Sequence, residues 1–454
     1  MSMSDIDEPE TLTFKEKQSS IKLCHDLYLS HFVNFTQIDS PSLLNVDTIE
    51  KPVDALPTTF LIPRFNSKYF FKEGLLFETL STRLLLRRNH HKTWLSKHFY
   101  SLPRSMLALD ASQPWLIFWI VHSFILLGSD NLEDAVDEEF KRFQAKIPQF
   151  LKTMLCGLGG FSGGAGQLPH LATTYACLAS LVDSRNFDML LSLNKQTFTC
   201  WLKSLRDPVT GGFFVHEGGE LDIRGTYCAI AIATILDLDK EALFEDIEFY
   251  IKSLQSYDGG IAGFFEEESH AGYTYCGLAA LALLQKAHYL DLNALLFWVV
   301  QRQSSETGGF QGRCNKLHDS CYSFWCTATI QILSQLKMEI PSLYQPCIFN
   351  TKSLQMYILG CCQEGFKENM LIYKGGLKDK PQATPDLYHT CYALSGLSIL
   401  QVMSPEDLFN GPPLKHSIHR LQETNPLLNI TTASWNQWIS QRNRKILLAP
   451  VVHD

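Results

Sequence analysis

The chain has 454 residues, of which 45% are hydrophobic and 19% charged, a composition that can bury a large core and is far too apolar for a disordered protein. Its 39 basic and 47 acidic side chains give a net charge of −8, which argues against a surface that binds nucleic acid or acidic lipid as a whole. A local basic pocket is compatible with that balance.

From the N-terminus, MSMSDIDEPETLTF has no basic stretch followed by an apolar one, so no secretory leader is expected. Residues 1–75 mix polar stretches with DSPSLL, EKPVDALP and IPRF and read as an N-terminal extension. The most apolar run, WLIFWIVHSFILLG from Trp115, is interrupted by His122 and is shorter than the roughly 18 residues of a membrane span. No stable membrane insertion is expected. Thirteen cysteines, several within apolar runs such as YCAIAIA and YCGLAAL, suit the free thiols of a cytoplasmic protein.

From residue 76 to about 402 a repeat organises the chain. Gly-Gly pairs end at Gly160, Gly212, Gly260, Gly309 and Gly376, a period of about 50. Fourteen residues after each pair stands a small hydroxyl residue: Thr174, Thr226, Thr274, Ser323 and Thr390. An apolar, alanine-rich segment follows each of these and predicts a helix buried on all sides. Before each pair lies a more amphipathic segment, such as FEDIEFYIKSLQS, that predicts a helix with one wet face. Four residues before the hydroxyl position stand His170, Asp222, His270, Asp319 and Asp386, mostly good N-caps, and Asp110 fits the same slot without a glycine pair. Six hairpins without an alternating strand pattern predict an all-α fold, a closed α/α barrel of inner and outer helix rings, with all inner helices starting at one mouth. Residues 403–454 read as a tail packed on the barrel or on a partner.

The residue after each hydroxyl position is Tyr175, Tyr227, Tyr275, Phe324 and then Cys391, with Trp115 in the matching place of the first helix. Each taken alone would be core packing. As a set around a wide axis lined by Ala, Cys and Gly, they predict an aromatic-lined tunnel for a long apolar ligand.

At the mouth, Asp319 and Cys321 in KLHDSCYSFW and His389 in DLYHTCYAL fall on neighbouring inner helices. Carboxylate, thiolate and imidazole are zinc ligands, and three of them leave the fourth tetrahedral position open, as a catalytic zinc requires. Arg224, His270, Tyr273, Arg313, Lys316 and Tyr322 share the same mouth, where helix N-termini also present free N–H groups to an anion. Together they describe an amphiphilic ligand with a long tail and a diphosphate head. Nucleotide-binding glycine loops, the Gly-x-Ser-x-Gly elbow and the aspartate-rich motifs of terpene chemistry are absent from the sequence.

The stretches ALDASQPWLIFW, GGAGQLPHLATTYA, DIRGTYC, ESHAGYTYCGLAALA, GFQGRCNKLHDSCYSFW and DLYHTCYALSGLSI resemble the β subunits of protein farnesyltransferase. The resemblance implies a zinc enzyme, working as a heterodimer with an α subunit, that joins farnesyl from farnesyl diphosphate to the cysteine of a C-terminal Cys-a-a-X sequence, as on Ras-like small GTPases. It implies Asp319, Cys321 and His389 as zinc ligands and Asp379 as a carboxylate for magnesium. It implies His270, Arg313, Lys316 and Tyr322 as the catalytic group around the diphosphate. Arg224, Tyr273, Tyr175, Tyr227, Cys276 and Trp325 would line the substrate pocket with His170, and Trp115, Trp119 and Tyr388 would receive the aliphatic part of the peptide. Bulk at Trp115, Tyr175 and Tyr227 would close the tunnel floor at 15 carbons. The chain departs from the family pattern at Ala271, at Thr173 and in the acidic loop GIAGFFEEES. The alternatives are a type I geranylgeranyltransferase β subunit, a triterpene cyclase, and a non-catalytic α/α barrel that only binds.

Overall fold

The glycine pairs and the hydroxyl residues fourteen positions on turn out to be two ends of one hydrogen bond. The N–H that follows the pair is donated to the threonine Oγ1: Phe161 to Thr174 at 2.8 Å, Phe213 to Thr226 at 3.2 Å, Ile261 to Thr274 at 2.9 Å and Leu377 to Thr390 at 2.8 Å. The glycine turn is thereby fastened to the first turn of the helix behind it. At Gly259, whose φ is +95°, a side chain has no room: its Cβ would lie 2.2 Å from the Ala294 carbonyl oxygen.

The computed structural model describes residues 15–26, 86–128, 138–336, 349–363, 375–403 and 420–448. The N-terminal extension lies outside these except for a helix over 15–26. Twelve helices build the barrel in alternation: α1 (Arg88–Tyr100), α2 (Gln113–Leu127), α3 (Glu138–Lys152), α4 (Leu171–Asp183), α5 (Lys195–Ser204), α6 (Ile223–Leu236), α7 (Ile247–Ser253), α8 (Ala271–Leu283), α9 (Leu292–Val300), α10 (Tyr322–Gln335), α11 (Thr351–Met356) and α12 (Leu387–Val402). Odd numbers are outer helices and even numbers inner ones. Each inner helix packs on the next, and α12 returns to α2, so the ring is closed. The alanine-rich inner helices are buried on almost every side, α4 from Thr173 to Asp183 without interruption.

Their starts are held at one level by a second set of bonds. The N–H at or near the start of an inner helix is donated to a carbonyl in the following glycine turn: Gln113 to Gly163, Leu171 to Val215, Ile223 to Gly263, Ala271 to Gly312 and Ser320 to Asp379, all at 2.8–3.0 Å. His170, Asp222, His270 and Asp386 are N-caps whose side chains accept helix N–H groups. Asp110 is not a cap. It lies in a 3₁₀ helix, Arg104–Ser112, and Ser112 occupies the cap position of α2, so the Asp110 carboxylate accepts from the Gln113 side chain at 2.9 Å instead. The fourth glycine repeat also departs. Its helix α10 begins at Tyr322 with Cys321 as the preceding residue, and Ser323 Oγ donates to the Ser320 carbonyl rather than receiving a turn N–H.

The tail closes the end of the barrel opposite the mouth. A two-residue hairpin, β1 (Thr424–Asn425) with β2 (Ile430–Thr431), pairs Thr424 with Thr431 and leads into α13 (Thr432–Leu448). Thr431 donates its N–H at 2.9 Å and its hydroxyl at 2.8 Å to the fully buried Asp183. The other carboxylate oxygen of Asp183 meets His122 Nδ1 at 2.7 Å, and His122 Nε2 meets Ser395 Oγ at 3.1 Å. This network joins α2, α4, α12 and the tail with every buried polar atom named here partnered.

Candidate active site

The segment that leads into α10 and the first turn of α12 bring three ligand types together. Asp319 Oδ1 accepts the Cys321 N–H at 2.8 Å, which folds the chain so that carboxylate and sulfur face the start of α12. There His389 Nε2 lies 3.2 Å from Asp319 Oδ1, and the ligand atoms of Asp319, Cys321 and His389 all fall within 4.8 Å of one another. Among the described residues this is the sole cluster of its kind. A tetrahedral zinc with bonds of about 2.0–2.3 Å sets its ligands roughly 3.5 Å apart, so the cluster needs only a small contraction around an ion. Burial, then the Asp319 charge, push the Cys321 thiol well above its usual range. Burial opposes the charge on His389, yet hydrogen bonds to Asp319 and Asp386 raise it to about 10. A thiol that resists ionisation beside a proton held between two carboxylates is the donor set a dication would complete, displacing both protons.

His270 caps α8 by accepting the Gly272 N–H on Nδ1 at 3.0 Å. Burial and then the Arg313 and Arg224 charges lower its pKa to about 4, so the ring is neutral near pH 7 with its proton on Nε2. That nitrogen meets the Tyr322 hydroxyl at 3.2 Å. Burial pushes the Tyr322 phenol up, which keeps it a donor. Arg313 pairs with Glu268 of the acidic loop at 3.4 Å, and Lys316 is exposed on the same turn as Arg313. Arg224 is held on its own helix cap by Asp222 at 2.5 Å and lies over the Tyr273 ring at 5.7 Å. Its hydrogen bond to Asp222 raises its pKa further.

Below the mouth the aromatic residues form an unbroken circuit. Ring centroids run Trp115–Tyr175 5.7 Å, Tyr175–Tyr227 5.8 Å, Tyr227–Tyr275 5.5 Å and Tyr275–Trp325 5.2 Å. They return by Trp325–Tyr392 4.5 Å, Tyr392–Tyr388 4.7 Å, Tyr388–Trp119 5.6 Å and Trp119–Trp115 5.9 Å. Two expected positions shift by one residue: Trp325 and Tyr392 carry the circuit where Phe324 and Cys391 were expected, and those two are fully buried. Trp115, Trp119, Trp325 and Tyr388 keep partial exposure although they sit on inner helices, so they face an open lumen. Cys276 is buried on α8, and its thiol is pushed up by burial. His170 caps α4 two inner helices away from His270, beside His216 with ring centroids 5.5 Å apart.

Asp379 does not join the cluster. Its carboxylate is paired with Lys380, and its carbonyl receives the Ser320 N–H at 2.8 Å. Two roles missed in the sequence matter here. Asp386 accepts from His389 Nδ1 at 2.6 Å, a contact that the Asp-x-x-His spacing at a helix start would have indicated. Gly312 leaves the space that Tyr322 fills, since a Cβ there would lie 2.2 Å from the tyrosine Cζ.

The Prenyltransferase alpha-alpha toroid domain family matches residues 86–430. The chain is 34% identical over 414 residues to protein farnesyltransferase subunit beta of Arabidopsis thaliana, covering 78% of this chain and 82% of that one. It is 39% identical over 355 residues to the same subunit of Saccharomyces cerevisiae, covering 76% and 78%. Among solved structures, Candida albicans protein geranylgeranyltransferase-I complexed with GGPP covers 79% of this chain and 99% of its own, with a TM-score of 0.61 at 22% identity, a likeness of fold. The barrel, its metal-ready mouth and these relatives together assign the chain to the family of protein farnesyltransferase β subunits, the catalytic subunits of a prenyl-transferring enzyme.

Proposed function

We propose that this chain, paired with a prenyltransferase α subunit, transfers farnesyl from farnesyl diphosphate to the cysteine of a C-terminal Cys-a-a-X sequence with zinc in the cluster of Asp319, Cys321 and His389. One observation carries the reading: a three-ligand cluster with an open side lies at the rim of a lumen circled by aromatic rings and flanked by His270, Tyr322 and Arg313. When bound, zinc supplies a thiolate from an acceptor thiol whose free pKa is about 8.5. The aromatic circuit takes the prenyl chain and excludes water from it. His270 Nε2–H, the Tyr322 hydroxyl and the guanidinium of Arg313 donate to the diphosphate, with Lys316 at the rim. Charge grows on that group as the carbon–oxygen bond breaks, and each well-aimed donor is commonly worth about 3–4 kcal/mol. Glu268 pairs with Arg313 at 3.4 Å, and a diphosphate at this guanidinium would compete with that carboxylate. Asp379, now paired with Lys380, is the carboxylate that would hold magnesium beside the diphosphate, and the cation would compete with the Lys380 ammonium for it.

The barrel from residue 76 to 402 is the catalytic unit in this reading, and the described part of the tail, residues 420–448, belongs to it as its closed end. No described helix is long and apolar enough to cross a membrane. In this reading the enzyme is cytoplasmic and acts on precursors such as Ras-like small GTPases. A type I geranylgeranyltransferase is disfavoured by Trp115 in the circuit.

The test is metal analysis and turnover of the heterodimer. The wild-type complex should hold one zinc per β chain and farnesylate a Cys-a-a-X peptide. Cys321→Ala should lose zinc and turnover while still binding farnesyl diphosphate. Equal loss of prenyl binding in a folded Cys321→Ala complex would refute two separable subsites.

A further inference from the structure

The C-terminal tail reaches the aromatic circuit from below. The hydroxyl of Tyr175 donates to the Leu428 carbonyl at 2.6 Å and that of Tyr227 to the Leu427 carbonyl at 2.9 Å. Leu428 and Ile430 are fully buried, and Leu427 keeps partial exposure while packing on the core. The turn that carries them does not hang on the tyrosines alone. On one side Gln422 N–H bonds the Leu126 carbonyl at 2.8 Å and Thr424 bonds Ser398 Oγ at 3.0 Å; on the other Thr431 is bound to Asp183. Asn429, at φ +45°, gives the turn its left-handed residue. Inner helices of 13–16 residues would enclose a shaft about 20 Å long, but this turn fills its lower part under Tyr175 and Tyr227.

We propose that the Leu427–Leu428 turn is a specificity-determining element, the stop at the blind end of the shaft, so that donor length is read by the tail as well as by the bulk of Trp115. The inference rests on the prenyl-transfer reading above. Because the two tyrosine hydroxyls are spent on tail carbonyls, the circuit and the stop move as one body. Deepening the stop therefore lengthens the donor accepted, and raising it shortens that donor.

The experiment uses the complete heterodimer and one Cys-a-a-X peptide, with geranyl, farnesyl and geranylgeranyl diphosphates assayed on each preparation. The ratio of kcat/KM between donors is unaffected by how much of a preparation is folded. Leu427→Ala/Leu428→Ala should raise the geranylgeranyl-to-farnesyl ratio about tenfold, the discrimination that a few methylenes of pocket depth provide. Leu427→Trp should lower the farnesyl-to-geranyl ratio by a similar factor, a gain for the short donor that mere loosening cannot produce. Ratios within about twofold of wild type in both variants, while Trp115→Thr shifts them in the same assay, would overturn the proposal and leave the ring alone as the ruler. A wild-type complex inert with all three donors would instead overturn the functional reading on which it stands.

Discussion

Asp386 holds His389 at two points, accepting its backbone N–H at 2.8 Å and its Nδ1–H at 2.6 Å, so that Nε2 is aimed at Asp319. The same carboxylate fixes the helix start, the tautomer and the direction of the free lone pair. Removing an outer carboxylate of this kind usually costs 10–100-fold in metal affinity. Asp386→Asn keeps a cap acceptor but loses the charge, and chelator competition should show zinc bound about tenfold more weakly. Unchanged affinity would mean that packing alone orients the ring.

Trp115→Thr opens the circuit between Trp119 and Tyr175, whose ring centroids lie 5.9 Å and 5.7 Å from that of Trp115. Turnover with a 20-carbon donor should rise at least tenfold relative to the farnesyl donor, as expected for added pocket space. Competition between labelled donors reads this directly.

Gly312→Ala should damage turnover without touching the metal. Its Cβ would meet Tyr322 Cζ at 2.2 Å, and the tyrosine must swing off His270 to make room. We expect kcat to fall roughly 10²-fold, the loss typical of one charge-stabilising donor, with zinc content unchanged. Loss of zinc in the same variant would show that the shift spreads to Cys321.

Acid should loosen the barrel through His91. This ring is 1% exposed, accepts the Gly376 N–H on Nδ1 and meets Gln363 Oε1 with Nε2, both at 2.9 Å, and burial lowers its pKa from 6.5 to about 4. A depressed histidine binds its proton more readily in the unfolded chain. Its contribution is complete above pH 6.5, falls away between 6.5 and about 4, and is flat below. The shift corresponds to about 3 kcal/mol, and denaturant titrations across that range should show His91→Gln losing this part of the slope.

The repeat was legible because four of its five glycine units make the same hydrogen bond, from the N–H after the glycine pair to the threonine fourteen residues past it. The cluster of Asp319, Cys321 and His389 was legible because the repeat puts all three within four residues of the hydroxyl position on neighbouring inner helices. Asp110 misled because a 3₁₀ segment delays the start of α2, a matter of backbone geometry that residue type does not encode. Cys391 misled because counting by register gives the position on a helix but not which neighbour faces the axis. The closed end was invisible because Leu427 and Leu428 act through their carbonyls, which every residue possesses.

Closure of the ring sets an order on assembly. α2 and α12 meet only through partners about 270 residues apart in sequence, such as His122 and Ser395. A nascent chain can stack its hairpins as each emerges, yet it stays an open horseshoe with two greasy flanks until translation delivers the last of them. Premature stop codons upstream of α12 should therefore yield a sticky, protease-prone fragment rather than a smaller working barrel.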